Sequence, residues 1–394
     1  MKKIIFSIFI LFISHNIFAQ NGWNEVWSLQ EIPFQDPTGN SDFARVLAGF
    51  DTDEDGWGEF LTGYTDYDSN YIFLYEATGD NSYEMVWHYK FPYKSDSRYA
   101  AAVSDIDNNG KVEIIVGWAS LVDSDNPNPP RIFTFEWNGI VGENNYGRDN
   151  GDGTFNPTHQ SKMELPDDTQ WNPYSMVVED IDKDGKDELI LGIRSGGRGR
   201  EVLIASVTGG DLSGFGRFQI EYNFQNEESG SNYCTTVGDL DNDGLTDIVE
   251  VVWWKLTLRM FEATGPNTYE HVNDLDQIYS SQDIDYGSVD GARILDINGD
   301  GKNEFVMAAA DDAAVDNELF IIQNVTDISA ITAADVVSFY TFPKTLRPNG
   351  LPLYSGLRSM DVGDPDHDGK ISLLICGGEN GLIYDLEYKG EGDL

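Results

Sequence analysis

Six nine-residue stretches of this 394-residue chain place oxygen-bearing side chains at positions 1, 3, 5 and 9 around a Gly at position 6. The first four are Asp51, Asp53, Asp55 and Glu59; Asp105, Asp107, Asn109 and Glu113; Asp180, Asp182, Asp184 and Glu188; and Asp239, Asp241, Asp243 and Asp247. The fifth has Asp296, Asn298, Asp300 and Glu304, and the sixth has Asp364, Asp366 and Asp368 with Ser372 in the ninth place. Alternate residues of a tight loop bring their oxygens to one point, and Gly supplies the positive φ that wraps the loop round it. Hard oxygen donors at this density suit Ca²⁺, with the backbone carbonyl of position 7 as a further donor. Asn109 and Asn298 still offer an oxygen, whereas Ser372 makes the sixth site the weakest. Asp-Gly is also a common turn dipeptide, but scattered acidic turns do not keep Gly in register through six copies.

These loops require strands on either side. A helical calcium hand needs flanking helices and Glu at position 12. Position 12 here is Thr62, Val116, Leu191, Glu250, Met307 and Ile375, so five of the six fail. Apolar, β-branched runs follow position 9: LILG after Glu188, IIVG after Glu113 and IVEVVWW after Asp247. Short runs of this kind read as buried strands.

The loop starts are separated by 54, 75, 59, 57 and 68 residues. A period near 60 built from strands points to propeller blades or a similar array. In the third unit the spacing predicts strands at 174–179, 189–193, 201–207 and 218–224, with the acidic loop after the first. Far from that loop, LYEATGDNSYEMV from Leu74 returns as MFEATGPNTYEHV from Met260, so the whole unit is repeated. After the sixth loop only two strands fit, 373–376 and 382–388. The N-terminal stretch 24–32 (NEVWSLQEI) resembles the outer strand YEMVWHYKF from Tyr83 and is expected to complete the last blade. Such closure leaves no long unpaired edge. The expected fold is therefore an all-β propeller of four-stranded blades. Six motifs give six blades; seven remain open only if the long second unit hides a degenerate one, and its excess of about 15 residues is small for that. The excess is a Gly- and Asn-rich segment between Trp137 and Thr158, expected as an exposed loop. Its Asp149 and Asp152 are either a further ion site or a plain turn.

Repeated Asp-x-Asp-x-Asp-Gly-x-x-Glu loops, several running into a Gly (Gly63, Gly117, Gly192), resemble the FG-GAP/VCBS repeats of integrin-α-like propellers. The resemblance covers essentially all of the chain after its first residues. It implies a calcium-stabilised propeller with the family's ligands in five loops and a weaker sixth. It implies no single activity, because that fold carries adhesins, lectin-like binders and lyases.

Composition narrows the partners. Lys2 and Lys3, the apolar run from Ile4 to Ile13 and Ala19 before Gln20 form an expected secretory signal over 1–19. Residues 20–394 are then one exported, secreted, periplasmic or cell-surface propeller domain with no transmembrane segment. The net charge is −43, which argues against nucleic acid or an anionic membrane surface. Cys234 and Cys376 fall two repeats apart and are expected as two buried thiols rather than a disulfide.

Acidic loops and C-to-D turns should share one propeller face. The opposite face is the expected place for a ligand. Several inner strands open on an aromatic residue, among them Tyr99, Tyr174 and Tyr233; Trp118, Trp253 and Trp254 end second strands, and Trp171 precedes an inner one. These are stacking platforms for a sugar or peptide, or ordinary packing between blades. Arg194, in a Gly-rich loop, can clamp a carboxylate or sulfate, or pair with the protein's own acids. The leading expectation is a non-catalytic module binding a glycan or protein. The alternative is a polysaccharide lyase on acidic glycans, which needs charge neutralisation and a general base. His88, His159, His271 and His367 all map away from the aromatic face, which favours the binder; a Tyr or Lys base stays open.

Overall fold

The computed structural model describes residues 23–29, 33–34, 42–65, 70–95, 99–118, 121–122, 130–161, 171–196, 200–207, 218–226, 231–253, 256–276, 278, 286–287, 291–311, 318–342, 357–377 and 382–388. They form six four-stranded antiparallel blades in a propeller ring. From the axis outward, blade 1 is Asp42–Phe50, Glu59–Thr65, Asn70–Gly79 and Ser82–Phe91. Blade 2 is Tyr99–Ser104, Glu113–Trp118, Ile132–Glu136 and His159–Ser161. Blade 3 is Trp171–Glu179, Glu188–Gly196, Arg200–Val207 and Phe218–Asn226. Blade 4 is Ser231–Gly238, Thr246–Trp253, Thr257–Gly265 and Thr268–Leu275. Blade 5 is Ala292–Leu295, Glu304–Asp311, Glu318–Ile322 and Val337–Thr341. Blade 6 takes Leu357–Gly363, Ser372–Gly377 and Leu382–Tyr388 from the C-terminal part of the chain. Its outer strand is Trp23–Leu29, antiparallel to Leu382–Tyr388 with Trp23 opposite Tyr388 and Leu29 opposite Ile383.

Second strands are apolar on both faces because each is covered by a neighbouring blade on either side. Among the described residues, buried apolar side chains gather in six clusters, each between two successive blades. Between blades 6 and 1, Leu374, Cys376 and Ile383 meet Val46, Phe60 and Phe73, with Trp27 of the N-terminal strand packed alongside. Trp27 lies edge-on to Phe60 and Tyr83. Cys234 and Cys376 are buried and unbridged.

The acidic loops connect each inner strand to its second strand. The long segment of blade 2 departs from a plain exposed loop. Trp137 and Tyr146 pair and are buried, and the Tyr146 hydroxyl meets Thr52 Oγ1 of the first loop. Its tip is a small hairpin, Arg148–Asp149 with Phe155–Asn156. There Asp149 accepts from Gly151 N–H at 2.7 Å and Asp152 from Thr154 N–H at 3.0 Å, the bonding of a turn.

Candidate metal centres

Each loop is held by the same backbone bonds. The carboxylate at position 1 accepts from the N–H of the position-6 Gly in all six: Gly56 to Asp51 (2.9 Å), Gly110 to Asp105 (2.8 Å), Gly185 to Asp180 (3.1 Å), Gly244 to Asp239 (3.0 Å), Gly301 to Asp296 (2.8 Å) and Gly369 to Asp364 (2.9 Å). Position 5 accepts from the N–H of position 7, as when Trp57 donates to Asp55 at 2.8 Å and Lys370 to Asp368 at 2.9 Å. Position 9 accepts from the N–H of position 2 in loops one to five, for example Thr52 to Glu59 at 2.7 Å and Leu240 to Asp247 at 2.8 Å. In the sixth loop both partners change together. Position 2 is Pro365, which has no N–H to give, and position 9 is Ser372.

Every position-6 Gly has φ between 86° and 94°. Position 4 is also left-handed, with φ of 58°, 55°, 61°, 60°, 75° and 55° at Glu54, Asn108, Lys183, Asn242, Gly299 and His367. Two left-handed residues in three turn the chain tightly enough to aim positions 1, 3, 5 and 9 inward. Ligand atoms of Asp51, Asp53 and Glu59 lie within 4.8 Å of one another, as do those of Asp105, Asp107 and Glu113, and of Asp180, Asp182 and Glu188.

These groups are buried without enough donors. Asp53 Oδ1, Glu113 Oε1, Asp180 Oδ1, Glu188 Oε1, Asp239 Oδ1 and Asp247 Oδ1 are enclosed oxygens with no hydrogen-bond partner. An isolated buried carboxylate is costly, so burial above all pushes the position-9 acids up: Glu59 and Glu188 to about 8, Glu113 to about 9, Asp247 and Glu304 to about 7. Neighbouring loop carboxylates add to the rise. Asp53 is raised to about 6 for the same reasons. A hard cation at the meeting point supplies the missing charge and satisfies the orphaned oxygens, so the donor set fits such an ion.

Further residues join the loops from the third strands. Glu76 is cross-strand to Glu59, Glu136 to Glu113, and Glu262 to Asp247, and like charges so placed repel. Glu76 shares a second convergent set with Asp53 and Asp55. The shared EATG sequence, with Glu76 and Glu262 in the same place, signals this role. Asp80 of blade 1 likewise converges with Asp366 and Asp368 of blade 6.

Loops also bond to the next blade. The position-3 acid meets the turn joining the outer two strands of its neighbour. Asn144 Nδ2 donates to Asp53 at 3.1 Å, Asn267 N–H to Asp182 at 2.5 Å, Ile328 N–H to Asp241 at 3.0 Å and Asn81 N–H to Asp366 at 2.7 Å. Gly58 of the first loop lies so near Pro365 of the sixth that a Cβ there would be 2.3 Å from its carbonyl oxygen.

The aromatic candidates separate. Tyr99 and Trp118 are wholly buried between blades 1 and 2, with ring centroids 5.5 Å apart, so neither presents a face to a ligand. An aromatic that opens or ends a strand is drawn inward because blade-to-blade packing offers more apolar contact than solvent does. Tyr174 is 5% exposed and stacked on Tyr233 at 4.4 Å; Tyr233 keeps part of its surface open. Trp171, Arg194 and Trp253 lie on strands at the end remote from the loops, and their side chains fall outside the described structure, as does Trp254. His88 sits on the outer strand of blade 1 against Phe34, and His271 on that of blade 4 with Nε2 2.9 Å from Asp274 Oδ1. His159 begins the outer strand of blade 2, and His367 is inside the sixth loop.

The FG-GAP-like repeat family matches residues 51–116, which span the first two loops, the three outer strands of blade 1 and the inner strand of blade 2. No curated protein matches the chain. Among solved structures, a periplasmic gluconolactonase from Pseudomonas aeruginosa is similar over 88% of this chain and 86% of its own, at 10% identity and a TM-score of 0.46. No helix among the described residues is long and apolar enough to cross a membrane.

Proposed function

We propose that this is an exported, calcium-stabilised propeller that serves as a non-catalytic binding module for a glycan or a protein. The observation that carries the calcium reading is the set of enclosed carboxylate oxygens left without donors at the loop centres. Ca²⁺ accepts six to eight oxygens in flexible geometry, which suits a loop of side chains and one carbonyl, whereas Mg²⁺ demands a stricter octahedron. Ions would be held by the position 1, 3, 5 and 9 side chains of loops one to five, and by Asp364, Asp366 and Asp368 with help from Asp80 in the sixth. A leader cut after Ala19 would place the protein among extracellular modules, which bind calcium at about 0.1–1 mM. Binding rather than catalysis is favoured by the four histidines beyond the leader, His88, His159, His271 and His367, which lie on outer strands or in a loop. Tyr233, stacked on Tyr174 at the channel end remote from the loops, is the described residue best placed to stack on a ligand.

The test is binding of the Ca²⁺-loaded mature protein to glycan and protein arrays, run beside absorbance assays on uronate polysaccharides. Chelator-sensitive array binding with flat absorbance supports the module. A calcium-dependent rise from unsaturated sugar ends replaces it with a lyase.

A further inference from the structure

Two buried side chains at the end of blade 2 remote from the acidic loops carry hydrogen-bond donors and have nothing to give them to. Trp118 ends the second strand, and Arg131 directly precedes the third. The Trp118 N–H donates to the Arg131 carbonyl at 2.8 Å, which carries the ladder one pair beyond Gly117 and Ile132. Side chains paired in this way lie on the same face of a sheet. Trp118, Val116, Phe133 and Phe135 all belong to the core between blades 1 and 2, so strand alternation turns Arg131 towards blade 1 as well. Trp118 is 0% exposed and Arg131 2%. Arg131 Nε, Arg131 Nη1 and Trp118 Nε1 are enclosed and have no hydrogen-bond partner.

The charge is also uncompensated. Elsewhere this chain meets an arginine with an acid: Arg293 with Asp361, and Arg259 with Asp274 at 3.5 Å. Among the described residues no acid does so for Arg131, and burial alone lowers its pKa with no carboxylate pulling it back. Across the interface Asn70 begins the third strand of blade 1, gives Nδ2 to the Tyr93 carbonyl at 2.8 Å and keeps Oδ1 unpartnered. A neutral amide oxygen accepts a bond and cancels no charge. Arginine stays protonated at any working pH, and a buried charge without a counter-charge is costly.

We propose that Arg131 and Trp118 hold a small inorganic anion, of the size and charge of chloride, between blades 1 and 2. The guanidinium supplies the charge and the indole N–H a second direction of bonding. The Trp118 ring is held in place by Phe91, edge-on at 4.9 Å, and by Tyr99 at 5.5 Å. Because all three nitrogens are enclosed, the site suits a free ion rather than the carboxylate of a bulky ligand. It lies at the opposite end of the blades from the acidic loops, so it stands apart from the calcium and ligand readings above.

The test is thermal melting of the full mature protein at one fixed calcium concentration, in sodium chloride against sodium gluconate of equal ionic strength. Gluconate matches the screening of the acidic surface and is too large for an enclosed site. The expected result is a saturable gain in chloride of about 3 °C once the ion exceeds its dissociation constant a hundredfold. Arg131→Met removes that gain, and in gluconate it melts no lower than wild type because it deletes an uncompensated buried charge. Trp118→Phe keeps the ring and shrinks the gain. Crystals grown in bromide should show one anomalous peak in contact with Arg131 and Trp118 Nε1, a readout that stands by itself should a variant not fold. Equal melting of the wild type in the two salts overturns the proposal. So does a chloride gain that survives Arg131→Met, or a water or a carboxylate of the protein in place of the bromide peak.

Discussion

The backbone N–H of Asn81 donates to Asp366 Oδ2 at 2.7 Å, joining residues 285 apart in sequence. Asn81 is in the outer turn of blade 1, with φ of 52°, and Asp366 is position 3 of the last loop. The same contact, made by an acid of one blade to the turn of the next, recurs at Asp53, Asp182 and Asp241. A loop that holds an ion thus also fixes its neighbour. Replacing Asp366 separates the two roles. Asp366→Asn keeps an acceptor for Asn81 and loses the charge; Asp366→Ala loses both. In chelator, Asp366→Ala is expected to be less stable than wild type by about 1–3 kcal/mol, and Asp366→Asn close to wild type. In calcium both fall below wild type. Denaturant melts in the two buffers check this.

Calcium should decide how stable the ring is. With dissociation constants of about 0.1–1 mM, each site adds about 0.4–1.4 kcal/mol near 1 mM Ca²⁺. Five or six sites together add several times that. Thermal melts should rise steeply with calcium over the millimolar range and collapse on chelation. Equal stabilisation by Mg²⁺ at the same concentration would contradict the flexible oxygen sites described here.

The position-9 acids set the pH dependence of the ion-free protein. Their folded-state values, about 7 to 9, lie above the ordinary carboxylate values of 3.8 for Asp and 4.5 for Glu. The folded state therefore holds more protons than the unfolded state through this window. Stability is full below about pH 4 and falls as pH rises towards 9. Bound Ca²⁺ favours the ionised form, so the gain from calcium should grow over the same range. Melts of resin-stripped protein from pH 5 to 9, with and without added calcium, measure both slopes; a calcium-free melting point that rises with pH would refute the burial argument.

Loops three and six should respond differently to loss of position 9. Glu188 brings an unpartnered oxygen to its loop and accepts from Ile181 N–H at 3.0 Å. Ser372 instead bonds Asp385, whose carboxyl burial raises to about 7. Glu188→Ala should remove one ion per chain in metal analysis and lower the melting point. Ser372→Ala should leave the stoichiometry unchanged.

Much of this architecture was legible because it is repeated. Six Gly residues in register located the loops, and the apolar runs after position 9 located the second strands to within a few residues. Position 4 was not legible, since Glu54, Asn108, Lys183, Asn242, Gly299 and His367 share a backbone conformation and no side-chain chemistry. Tyr99 shows a second limit. An aromatic at the head of a strand reads the same whether it faces a ligand or the next blade, and only the packing of Trp118 against it places it inside. Tyr146 shows a third, because its contact with Thr52 spans 94 residues and leaves no local pattern. Glu76 was within reach, since EATG recurs at Glu262, but a carboxylate on a third strand gains meaning only once the register sets it opposite Glu59.

The N-terminal strand is the last element to test. Trp23–Leu29 pairs with Leu382–Tyr388, and Trp27 packs edge-on to Phe60 and Tyr83 of blade 1. Without it, Leu382–Tyr388 becomes an exposed apolar edge, and the buried Ile383 and Leu386 lose cover on one side. A chain beginning at residue 33 should therefore melt lower than one beginning at residue 20, and should self-associate through the open edge. Trp27→Ala, which keeps the backbone pairing, should cost about 3–5 kcal/mol at most, less where the half-buried site relaxes, and leave the protein monomer-to-oligomer balance unchanged. Sedimentation and denaturant melts of the two variants separate edge pairing from ring packing; equal stability of the truncated and full-length chains would show that blade 6 stands on three strands.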